Sequence, residues 1–162
     1  MNKFKTFLIL LVSFILQTTI FSKIDILGAN VNIIIPAIVA IGQVLEDKTA
    51  GYAGLIVGLI EDFMFTNLMG VRALSYFVIG SFVSSDRFNF GKDRPTGIIM
   101  TALSSILHLI IISVIYYITT GQTVITDYLP IPILIEVILN SLIYLIFIPI
   151  VKKVMYIPTY RI

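Results

Sequence analysis

Cysteine is missing from this 162-residue chain, and histidine occurs once. The first absence excludes disulfides, thiolate metal sites and thiol nucleophiles together, and leaves the redox compartment open. A single histidine rules out a multi-histidine metal site within one chain. Charge is scarce too. Only 12% of the residues are charged, against about 25% in a soluble domain. The net charge of +2 is too small to point to nucleic acid, and no cofactor motif is present. What fills the chain instead is apolar: 58% of it is hydrophobic, with a mean hydropathy of +1.04. Water-soluble folds need charge outside, so the solvent for most of this chain is lipid. It is read as one all-α polytopic membrane domain, residues 1–162.

Only helices and closed barrels cross a bilayer. The apolar runs are long and lack the alternation of barrel strands, so they read as helices. Six are expected: Phe4 to Phe21, Val31 to Leu45 containing Pro36, Ala50 to Phe65, Met69 to Ser84, Thr96 to Thr119 and Ile131 to Val151. A hydrocarbon core of roughly 30 Å needs about 20 helical residues. The second, third and fourth segments fall short, which suggests partly re-entrant helices or help from the joining loops. Lys3 and Lys5 ahead of the first run resemble a signal peptide, but no small-x-small site follows, so retention as helix one is expected.

With six spans both ends share a side. Lys3, Lys5, Lys48, Arg87, Lys92, Arg94, Lys152, Lys153 and Arg161 then lie together, and only Lys23 and Arg72 of the eleven basic residues face the other way. The positive-inside rule places both termini in the cytoplasm. The longest connections, Ser85 to Pro95 and Thr120 to Pro130, are too short to fold as domains, and no internal repeat stands out.

The stretch from Ala50 to Gly80 is the most informative. Gly51, Gly54 and Gly58 fall at spacings of three and four, which stack on one helix face. Such a face lets helices approach closely in lipid; it packs either an internal neighbour or another protein. Asp62 extends that face, with Glu61 about 100° away around the helix. At 1.5 Å per residue Asp62 lies about 18 Å along the axis, too deep for a simple surface acid. The candidate partner is Arg72, after a break rich in turn residues; Gly70 in that break is also counted with Gly51, Gly54 and Gly58 as a helix-packing or partner-interface glycine. Asp62 is expected either to pair with Arg72 or to cap the start of helix four; the alternative is an interfacial acid reaching the headgroups. Gln17, Glu136 and Asn140 are further intramembrane polar residues. The last two share a face at i and i+4. His108, near the middle of helix five, reads as a packing residue, and the tyrosines, Tyr156 and Tyr160 included, as interface or packing groups.

The run Gly54-x-x-x-Gly58-Leu59-x-x-Asp62, followed by Gly70-x-x-Ala73-Leu74, resembles the signature of the MreD family of the bacterial rod-shape system. Gln17-Thr18-Thr19, Pro36 and Glu136-x-x-x-Asn140 sit where that family has similar residues. One departure is Ala37, where the family often carries an acid after the proline. The resemblance implies a non-enzymatic scaffold in the bacterial cytoplasmic membrane. Its implied partners are an MreC-like single-span protein and, in the elongation complex, the actin-like MreB, RodA and a penicillin-binding transpeptidase. The implied fold is similar to the substrate-binding subunits of energy-coupling-factor vitamin transporters.

Two other readings compete. A substrate-binding transporter subunit would line a pocket with the short helices and buried polar groups, but helix one lacks paired small residues for contact with an energising module. An intramembrane enzyme needs paired acids or an activated serine. Glu61 and Asp62 diverge, and nothing in the sequence activates Ser104 or Ser105 beside His108. The basic stretch Arg87 to Arg94 suits interfacial anchoring or anionic lipid.

Overall fold

The computed structural model describes residues 2–45, 48–85, 93–121 and 130–155. Arg87, Lys92, Tyr156, Tyr160 and Arg161, and most of the two longer connections, lie outside the described residues. Within them the chain forms six helices: α1 (Asn2–Thr19), α2 (Ile34–Leu45), α3 (Thr49–Phe65), α4 (Val71–Val83), α5 (Arg94–Thr120) and α6 (Pro130–Val154). Three apolar helical stretches are long enough to cross a membrane: Asn2–Lys23, Arg94–Thr120 and Ile131–Val154. The others are shorter, at 12, 17 and 13 residues.

The polarity of the bundle is inverted relative to a soluble protein. On α5, Ile99, Leu103, Ile106, Ile110 and Val114 point outward, while Thr101, Ser104, Ser105 and His108 are buried. On α6, Leu134, Ile138, Leu142 and Ile146 face out, and Glu136 and Asn140 face in. Water would reverse this arrangement. Lipid tolerates apolar side chains around the whole perimeter and drives polar groups to find partners inside.

Helix α2 is the centre of the molecule. Every residue from Ile34 to Gln43 is buried, and α1, α3, α4, α5 and α6 all pack on it. A helix that is apolar on all sides belongs in a core. Pro36 lies in its first turn, where a missing N–H costs no helical bond. The helix starts at Ile34, three residues later than the hydrophobic run suggests. Residues 31–33 instead form a lead-in whose backbone bonds to side chains of other helices.

Before that lead-in stands a small hairpin absent from the sequence expectation. A 3-10 turn (Phe21–Lys23) is followed by β1 (Asp25–Ile26) and β2 (Ala29–Asn30), antiparallel, with Asp25 opposite Asn30 and Ile26 opposite Ala29. Leu27 and Gly28 form the two-residue turn, both with positive φ (54° and 82°), the combination that matches strand twist. Asp25 Oδ1 accepts the Gly28 N–H at 2.6 Å.

At the opposite end of the bundle, Lys5 Nζ donates to the Val154 carbonyl at 2.7 Å, a cation on the free C=O groups of a helix C-terminus. This contact places the start of α1 beside the end of α6. Nearby, Tyr144 donates its hydroxyl proton to Gln43 Oε1, and Gln43 Nε2 donates to the Asp93 carbonyl at 3.3 Å. Gly97 lies against the Tyr144 ring, with no room for a side chain.

Candidate functional site

The α3–α4 hairpin is the most extensive helix pairing among the described residues. Gly51, Gly54 and Gly58 all face α4, so the small-residue face serves internal packing. A Cβ on Gly58 would stand 2.5 Å from the Ala73 Cα, and one on Gly54 would stand 2.9 Å from the Tyr76 carbonyl. Opposite Gly51 is Gly80, which sequence reasoning missed; a Cβ there would fall 2.6 Å from the Gly51 backbone. Gly80 sits within the same stretch and was legible only from the partner helix. Gly70 corrects a further expectation. It has open space around it and a φ of 95°, so it is a turn glycine, not a packing one.

Asp62 is fully buried at the end of α3, and its carboxylate caps α4. It accepts the backbone N–H groups of Gly70 (3.0 Å), Arg72 (3.0 Å to Oδ2) and Ala73 (3.2 Å), and the Thr66 hydroxyl at 3.3 Å. The first N–H groups of any helix lack intrahelical partners, and the helix dipole favours an anion there. A single carboxylate from the preceding helix meets both demands.

The expected pairing of Asp62 with the Arg72 guanidinium is not what forms. Arg72 Nη1 donates instead to Glu61 Oε1 at 2.7 Å. The two adjacent acids diverge, as their 100° offset requires, and α4 curls back to meet both, one through backbone and one through side chain. Glu61 Oε2 also accepts the Tyr76 hydroxyl at 2.9 Å.

From Tyr76 the network continues inward. Asn32 Nδ2 donates to the Tyr76 oxygen at 2.9 Å and lies 3.5 Å from His108 Nε2. The Tyr76 and His108 rings stack with centroids 5.2 Å apart, and His108 Nδ1 is 2.7 Å from Ser75 Oγ. His108 is therefore held by Ser75, one helix away, and not by Ser104 or Ser105. Asn32 was not singled out in the sequence, where it falls inside the expected second helix, Val31 to Leu45; the helix starts at Ile34 and leaves it in the lead-in.

Gln17 and Asn140 serve the lead-in to α2. Gln17 donates to the Val31 carbonyl and accepts the Ile33 N–H, both at 2.8 Å. Asn140 Oδ1 accepts the Asn32 N–H at 3.1 Å, and its amide donates to Ser105 Oγ at 3.0 Å. Asn32 Oδ1 takes the Ile34 N–H at 3.1 Å. Carboxamides carry a donor and an acceptor together, so they replace what a further turn of helix would have supplied.

Gln17, Asn32 and Asp62 line a cavity of about 600 Å³ at the hairpin end of the bundle. Glu61, Arg72, His108 and Glu136 give it polar walls, and Phe65 and Ile112 apolar ones. Among the described residues, no cluster of histidines and acids suits a metal ion.

An apolar exterior, an internal polar lattice and short helices capped by side chains define an integral membrane helical bundle. Over residues 1–157 the chain matches the profile of the rod shape-determining protein MreD, and it belongs to the MreD family. Neither the curated proteins nor the solved structures contain a significant match.

Proposed function

We propose that this chain is a multi-pass scaffold of the cell-wall elongation machinery in the bacterial cytoplasmic membrane. All six helices contribute to the crossing, both termini face the cytoplasm, and the outer apolar faces receive the single span of an MreC-like partner. Through that partner the bundle joins MreB, RodA and a penicillin-binding transpeptidase. The observation that carries this reading is how the polar groups are used. Asp62, Gln17 and Asn140 are committed to backbone, and Glu61 to Arg72 and Tyr76. Chemistry of that kind holds a shape, and no acid among these four residues stands free to exchange a proton.

The cavity favours a second reading, a substrate-binding transporter subunit of the energy-coupling-factor kind. Affinity purification in mild detergent separates the two. The scaffold reading expects a co-purifying single-span protein with an extracytoplasmic domain, and loss of rod shape when the chain is depleted. A soluble vitamin-like molecule held at one per chain, together with an ATP-hydrolysing module and no such partner, would overturn it.

A further inference from the structure

The cavity holds an acid that no basic group pairs among the described residues. Of its acids, Asp62 is met by the N-terminus of α4 and Glu61 by Arg72. Glu136 lines the same space, is only 7% exposed, and forms no ion pair among the described residues. Its neighbour is the Asn140 amide, which is neutral. An ionisable group at this depth is costly unless something compensates it. Arg72 lines the same cavity, with its side chain 31% exposed. One of its N–H donors is committed to Glu61, and no other partner among the described residues takes the rest of the guanidinium fork, a shape that suits an oxyanion. Phe65, Leu109 and Ile112 add apolar wall to it. The volume falls within the range of small-molecule sites, about 300–1,000 Å³.

We propose that this cavity binds a zwitterionic group, with a primary ammonium on Glu136 and a phosphate or carboxylate on Arg72. The same chemistry is offered by an ethanolamine phospholipid headgroup entering from the bilayer and by a free soluble zwitterion. The site is independent of whether the bundle docks a single-span partner.

The test is native mass spectrometry of the full chain in mild detergent. The probes are palmitoyl-oleoyl phosphatidylethanolamine, the matching phosphatidylglycerol and water-soluble glycerophosphoethanolamine. The wild-type chain is expected to retain the ethanolamine lipid about tenfold better than the glycerol lipid, and Glu136→Gln to abolish that preference. Displacement of the lipid by glycerophosphoethanolamine identifies the headgroup alone as sufficient and favours a soluble source; resistance to displacement favours the bilayer. Ile112→Trp, which fills the cavity and leaves Glu136 in place, is expected to lower retention similarly. It decides the matter if Glu136→Gln fails to fold. Equal retention of both lipids by the wild-type chain, or a preference unchanged in a folded variant, would overturn the proposal.

Discussion

Asp62 is the residue on which most depends, because three backbone donors converge on it. Asn in its place is nearly isosteric, but its amide turns donors toward donors. Hydrogen bonds to a charged group contribute about 1.5–3 kcal/mol each to stability, so Asp62→Asn is expected to destabilise the bundle by at least about 2 kcal/mol. Thermal unfolding in detergent would show it. A double-mutant cycle separates the two acids. Glu61→Gln and Arg72→Gln should couple by about 1–3 kcal/mol, whereas Asp62→Asn and Arg72→Gln should couple clearly less, since the backbone N–H of Arg72 survives its side chain. A larger Asp62–Arg72 coupling would remove the capping account.

At the scale of elements, two devices let short helices coexist with lipid. The first is close approach. Gly58→Ala and Gly80→Ala must force α3 and α4 apart, because the obstructing atoms are backbone. Overpacking of this sort costs about 1–3 kcal/mol. Gly70→Ala meets no neighbour and should cost about 1 kcal/mol through its left-handed φ alone. Equal losses at Gly58 and Gly70, measured by melting temperature, would contradict the distinction. The second device is the side-chain support of the α2 lead-in. Gln17→Ala strips the Ile33 N–H and the Val31 carbonyl of partners at once. Each unsatisfied buried group costs about 1–3 kcal/mol. Hydrogen exchange should accelerate in a peptide spanning residues 31–35 and stay unchanged in the middle of α5.

For the whole molecule, the absence of cysteine becomes an experimental advantage. Single-cysteine variants report topology without background. Leu27, at the hairpin tip, is 76% exposed, and Lys48 is exposed at the other end of the bundle. If both termini are cytoplasmic, a membrane-impermeant maleimide applied to spheroplasts should label Leu27→Cys and spare Lys48→Cys until the membrane is permeabilised. The reverse pattern would invert the proposed orientation.

Composition and run length were enough to determine the solvent. Long apolar stretches and scarce charge require helices in lipid, and the ends of the six helices were legible to within about three residues. Spacing also placed Gly51, Gly54, Gly58 and Asp62 on one face, because a helix fixes that locally. Tertiary structure alone decided which groups meet. Whether Glu61 or Asp62 takes the guanidinium depends on how α4 returns. That Gln17 and Asn140 hold the chain ahead of α2 depends on two helices far apart in sequence. The hairpin at Asp25–Asn30 is local, but its two-residue strands are too short to leave a period-2 pattern; the central place of α2 depends on which helices close around it. Periodicity records the neighbours along a chain, whereas a buried polar group is satisfied by whatever the fold brings across the bundle.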